Sequence, residues 1–217
     1  MPSTIPFDPH ADADIVVRGV PLERARAAVV MVHGRGASAD DILALADELG
    51  VDNIAYLAPQ AAGHTWYPHR FLEPIERNEP FLSSALALLA TVVERIESAG
   101  VPAERIGLLG FSQGACLAME YAVRTPRRYG AIVGLSGGLI GPPGTVWANT
   151  GSLDATPAFL GCSDIDSHIP ADRVRESATH LEKLGAVVDL RLYPGMGHTV
   201  NRDEIEVVRR TVANMAS

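Results

Sequence analysis

Ser112 stands in Gly110-Phe111-Ser112-Gln113-Gly114, a serine framed by two glycines at G-x-S-x-G spacing. The apolar stretch Arg105–Leu109 before it reads as strand, and Ala115–Ala122 after it reads as helix. A serine on so tight a strand-to-helix turn is the signature of a nucleophile elbow. The glycines let strand and helix approach, and the strained backbone holds the hydroxyl out at the carboxyl edge of a sheet. Behind it the helix N-terminus offers free N–H groups, chiefly that of Gln113, to a developing negative charge. This pattern points to nucleophilic attack followed by stabilisation of an oxyanion.

A serine hydroxyl is a poor nucleophile until a base takes its proton, and that base needs a carboxylate to hold it. Behind an elbow of this kind the partners follow in the chain order Ser, Asp, His. Of seven histidines, only His180 and His198 lie well beyond the acidic candidates. His180 falls within an amphipathic helix over 170–184 and reads as a surface residue. His198 ends Pro194-Gly195-Met196-Gly197-His198, a glycine-flanked loop between the last strand and last helix, where a base reaching Ser112 must sit.

Two aspartates compete for the carboxylate in Ser163-Asp164-Ile165-Asp166-Ser167-His168-Ile169-Pro170. Spacing from Gly161 favours Asp164, whereas spacing to Ile169-Pro170, which opens the next helix, favours Asp166. Asp166 is preferred because the helix start pins the loop more firmly. His168 is too close to Asp166 to be its base and is expected to line the pocket. A second oxyanion donor belongs on the loop His33-Gly34-Arg35-Gly36, whose glycines allow close approach, and the Arg35 N–H is the candidate. The Arg35 side chain either attracts an anionic substrate group or lies in solvent, the second being favoured.

The elements that must position these residues alternate along the chain. Ile15–Val17 suggests an edge strand, and Ala27–Val32 is a continuous apolar run of the kind buried on both faces. Ser38-Ala39-Asp40-Asp41 resembles a capping box opening a helix that runs to Gly50. Further strands read at 53–58, 131–135, 157–161 and 187–193, with a helix of about twenty residues from Phe81 and a closing helix at 201–216. Strands alternating with helices imply a single α/β domain over 1–217, a mostly parallel central sheet with helices on both faces, and functional loops at the strand carboxyl ends. Residues 1–12 read as a loose arm. The long irregular stretch 59–80 is of the length usually reserved for function. In it Trp66, Tyr67 and Phe71 bring large apolar surfaces suited to a pocket wall, Trp66 foremost.

Composition narrows the classes. A chain of 217 residues, 47% hydrophobic and 20% charged, suits one substantial core. A net charge of −8 supplies no basic surplus for nucleic acid. Lys183 is the only lysine, so the cationic charge is almost all arginine, which reads as genome composition. Cys116 and Cys162 form neither a metal spacing nor a disulfide framework, no signal peptide is evident, and no run approaches the ~20 apolar residues of a membrane span. A cytoplasmic location without integral membrane association is expected, and a homodimer is compatible with it.

Taken together, the buried strand ending in HGRG, the GFSQGA elbow, the Asp before HIP and the GMGH loop resemble the phospholipase/carboxylesterase family of α/β-hydrolases, which includes acyl-protein thioesterases and small bacterial carboxylesterases. The resemblance covers nearly the whole chain. It implies the α/β-hydrolase fold, a triad of Ser112, Asp166 and His198, an oxyanion hole from Arg35 and Gln113, and no cofactor or metal. The family's D-x-x-V/I-P pattern adds support for Asp166. Thioesterase members carry Leu between the loop glycines and Asp after them, where this chain has Arg35 and Ala37, and the stretch Gly63–Pro68 also departs from theirs. These differences favour hydrolysis of a small-molecule ester over depalmitoylation of proteins. A thioesterase or lysophospholipase-like enzyme is the alternative, and a non-catalytic ligand-binding module the remoter one. A dienelactone hydrolase would be expected to carry Cys at position 112.

Overall fold

The computed structural model describes residues 7–148 and 150–217. Its centre is a seven-stranded sheet in the order β1-β3-β2-β4-β5-β6-β7. The strands are β1 (Ile15–Gly19), β2 (Ala27–Val32), β3 (Ile54–Pro59), β4 (Ile106–Phe111), β5 (Ala131–Leu135), β6 (Pro157–Ser163) and β7 (Val187–Tyr193). Edge strand β1 runs antiparallel to β3, and every other pairing is parallel. The connecting helices are α1 (Ala39–Leu49), α2 (Phe81–Ser98), α3 (Gln113–Arg124), α4 (Ala171–Lys183) and α5 (Arg202–Met215).

The unbroken apolar run of β2 is explained by the two faces it serves. Ala28, Val30 and Val32 join a core that includes Leu89 of α2, Leu117 of α3 and Leu181 of α4. Ala27, Val29 and Met31 point to the opposite core, against Leu43 of α1 and Val208 of α5. Alternate side chains of one strand thus enter separate layers, and no polar position is left over. The capping box of α1 forms as the sequence suggests, Ser38 and Asp41 each accepting from the other's backbone N–H. At the far edge, β7 carries Asp189 and Arg191; the guanidinium bonds Asp189 at 2.7 Å and Asp203 of α5 at 2.8 Å.

Two sequence expectations need correction. Residues 1–6 of the expected loose arm lie outside the described residues, but the arm is anchored at His10. The buried His10 ring accepts from the Ala62 N–H at 3.1 Å and lies 3.0 Å from the Trp66 carbonyl, which its Nε2–H reaches. His180 is buried rather than on the surface, with its ring 5.5 Å from that of Trp147. A histidine on a polar helix carries no local sign that a distant loop will cover it.

The close approach of α3 to the sheet depends on two glycines. A Cβ at Gly114 would stand 2.0 Å from the Val32 carbonyl oxygen, and one at Gly110 would stand 2.3 Å from the Gly114 backbone. Gly197 meets nothing within 4 Å. Gly114→Ala should therefore destabilise the fold by about 3 kcal/mol or more, since only backbone can yield there. Gly197→Ala should stay within about 0.5 kcal/mol of the parent in chemical denaturation.

Candidate active site

β4 is the middle strand, and its end delivers Ser112 to the carboxyl edge of the sheet with φ 55° and ψ −121°. That left-handed conformation is costly for a serine and is held from both sides. The Ser112 N–H donates to the Leu135 carbonyl at 2.9 Å, and its carbonyl accepts from the Cys116 N–H at 3.1 Å. Gln113 begins α3, so its N–H has no intrahelical acceptor.

His198 arrives from the loop between β7 and α5. Its Nε2 lies 2.9 Å from Ser112 Oγ and its Nδ1 2.6 Å from Asp166 Oδ2. A carboxylate only accepts, so Nδ1 carries the proton and Nε2 is left to accept from the serine hydroxyl. The imidazole is held between the Phe111 ring at 5.0 Å and the His168 ring at 4.8 Å. The loop itself is pinned by the Ser163 hydroxyl donating to the Met196 carbonyl and by the Gly195 N–H donating to Asp164 at 2.8 Å. Of the two competing aspartates, the structure brings Asp166 to the histidine and uses Asp164 as a turn residue.

The Asp166 side chain is completely buried. Burial pushes its carboxyl up, but the bond from His198 and the N–H groups of His168 and Ile169, at 2.8 and 3.1 Å, outweigh this and hold it below the usual range. Asp166 thus stays ionised well into acid.

The loop after β2 faces the elbow. A Cβ at Gly34 would stand 3.4 Å from that of Ser112, so the glycine brings backbone against the serine. His33 fixes this loop: Nε2 accepts from the Ala61 N–H at 3.1 Å while Nδ1 meets the Gly34 carbonyl at 2.7 Å. Burial lowers its pKa and favours the neutral ring that this pairing requires. Trp66 completes the arrangement, its indole N–H donating to the His33 carbonyl at 2.8 Å. It is fully buried between the His10 and His33 rings and takes no part in lining the cavity, contrary to the expectation of a pocket wall.

Tyr67 and Phe71 do line the cavity over Ser112, which has a volume of about 540 Å³. Cys116 and Ile169 add to its lining. Burial pushes the Cys116 thiol up to about 12, so it remains a neutral, unreactive wall. Arg35 is exposed, as favoured, but its side chain is tied to backbone. It spans the loop opposite, donating to the carbonyls of Tyr67, Pro68 and His69 at 2.8–2.9 Å. The Gln113 side chain binds the same loop, accepting from the Trp66 N–H at 3.0 Å and donating to the Tyr67 carbonyl at 2.8 Å. Sequence reasoning missed this second duty of Gln113, together with His10 and the buried Asn78, which carry no pattern of their own. Among the described residues, no group of three or more His, Cys, Asp or Glu is gathered as metal ligands would be.

A mostly parallel sheet with its serine at a strand-to-helix elbow and a histidine from the last strand's loop has the architecture of an α/β-hydrolase. Residues 15–215 match the phospholipase/carboxylesterase family, and the chain belongs to it. A crystal structure of a phospholipase/carboxylesterase from Dyadobacter fermentans superposes with a TM-score of 0.89 at 46% identity, covering 92% of this chain and 96% of that one. The acyl-protein thioesterase 1 of Yarrowia lipolytica is 26% identical over 206 residues, 86% of this chain and 91% of that protein. That of Saccharomyces cerevisiae is 30% identical over 136 residues, 59% of this chain, which spans 57% of that relative's length.

One further carboxyl, on α5, sits in an unusual environment. Glu204 is fully buried in the first turn of α5, where it accepts from the Asn201 N–H at 2.8 Å and leaves Oε1 without a partner among the described residues. Burial raises its pKa from 4.5 to about 7. Because the folded state holds this proton more tightly than the unfolded chain, stability should fall as pH rises from about 4.5 to 7 and level off above. The loss is on the order of 3 kcal/mol. Urea titrations at pH 5 and pH 8 should show the stability of Glu204→Gln changing less over this interval than that of the parent.

Proposed function

We propose that this chain is a serine carboxylesterase that hydrolyses small or medium carboxylic esters through an acyl-enzyme. Ser112 attacks the ester carbonyl while His198 Nε2 takes the hydroxyl proton. Asp166 holds the imidazole in the required tautomer and stabilises the imidazolium that forms. The N–H groups of Gln113 and Arg35 receive the negative charge on the carbonyl oxygen. His198 then returns the proton to the leaving alcohol and activates the water that releases the acyl group. The observation that carries this reading is the continuous chain from Ser112 Oγ through His198 to a buried, ionised Asp166.

Family membership supports ester or thioester hydrolysis at the level of class, and the curated relatives named acyl-protein thioesterases keep the thioester reading as the alternative. The character of the cavity is what supports a small-molecule substrate in this reading. About 540 Å³ with arginines at positions 35, 70 and 77 among its lining residues suits a compact, partly polar substrate better than a long alkyl chain.

Ser112→Ala should abolish hydrolysis of a short p-nitrophenyl ester and labelling by a fluorophosphonate probe with the fold intact; retention of most activity would refute the role of Ser112. Asp166→Asn should lower kcat by about 10³–10⁴-fold through the wrong imidazole tautomer. Asp164→Asn should cost far less, and the reverse order would transfer the role to Asp164.

A further inference from the structure

The loop over Ser112 is fixed along nearly its whole length. Arg35 holds the carbonyls of residues 67–69, Gln113 holds the Trp66 N–H, and the Gly141 N–H donates to the Phe71 carbonyl at 2.8 Å. On either side of the intervening peptide, buried Asn78 accepts from the His69 N–H at 2.9 Å and donates to the Arg70 carbonyl at 3.3 Å. Arg70 lines the cavity from this clamped backbone, exposed and with no side-chain ion pair or hydrogen bond among the described residues.

The surrounding charges do not cancel it. Of the Asp, Glu, Arg and Lys side chains lining the cavity, Arg35, Arg70 and Arg77 are cationic, and Glu73, paired with Arg77 at 2.8 Å, is the one carboxylate. The Arg35 guanidinium is satisfied by carbonyl oxygens, which take its hydrogen bonds but not its charge. A positively charged cavity in a chain of net charge −8 is a local feature that global composition opposes. Low-dielectric walls concentrate such a field and raise the local concentration of oppositely charged ligands.

We propose that the substrate carries an oxyanion, a carboxylate or a phosphate, away from the scissile ester, and that Arg70 recognises it. This rests on the esterase reading above and names the substrate class of that site. A guanidinium offers paired donors matched to either anion. Being remote from the reacting bond, the contact exists equally in the bound ester and the transition state, so it should act on KM more than on kcat.

The test compares mono-p-nitrophenyl glutarate with its methyl-capped ester. The free acid should show a kcat/KM about tenfold higher at low salt, and the advantage should shrink as ionic strength rises. In Arg70→Gln the ratio of the two should fall towards one, chiefly through KM, and in Arg70→Glu it should invert. Inhibition of neutral-ester hydrolysis by glutarate and by glycerol phosphate distinguishes the two anions: the stronger inhibitor identifies the preferred group, and equal failure of both counts against the proposal. Equal turnover of the two esters by the parent, or a ratio lowered by Arg77→Gln and not by Arg70→Gln, overturns the proposal while leaving the esterase standing. Failure of the parent to hydrolyse either ester overturns the esterase reading itself.

Discussion

The contact of Gly114 with the Val32 and His33 carbonyls is the constraint from which the site follows. It presses the first turn of α3 against the end of β2, next to a Ser112 held in a left-handed conformation. The hydroxyl is thereby aimed before any partner arrives. The loops after β6 and β7, two and three strands to the side, must then bring a carboxylate and an imidazole to a point already chosen. Their own fixings serve this: Asp166 is locked by two backbone N–H groups, and the His198 loop is tied to the residues that follow β6.

Around this centre, irregular backbone is held by side chains rather than by sheet or helix. Arg35 bonds three carbonyls of one loop, and buried Arg173 bonds the carbonyls of Leu139, Gly141 and Pro142 in another. The buried carbonyls bonded by Arg173, left unpaired, would cost about 1–3 kcal/mol each, while bonds to a charged donor contribute about 1.5–3. Lysine could not do the same, because its single ammonium lacks the planar fork that spans several acceptors. The abundance of arginine, which reads from composition as a genomic habit, has at these two positions a structural use.

What could be read from the chain follows how local its causes are. The elbow, the buried strands and the α1 capping box are set by neighbours in sequence, and the strand order places His198 after Asp166. The helix start at Pro170 separated Asp166 from Asp164 because it fixes the geometry of a short loop. Trp66 could not be assigned from its own segment. Whether an aromatic in a long loop faces a cavity or the core is decided by distant residues, here His10 and His33, and neither announces the contact. The same holds for Arg35, whose acceptors lie more than thirty residues away.

The outer margin of β7 has its own consequence for how copies of this protein can meet. A parallel sheet left open on one side presents unpaired backbone groups that invite another strand. Here that margin is flanked by Asp189, Arg191 and the Asp203 carboxylate, which form a linked ionic group at the surface. A neighbour adding itself there would have to displace water from several charges to gain a few ladder bonds. Sheet extension from one molecule to the next is therefore disfavoured at this side.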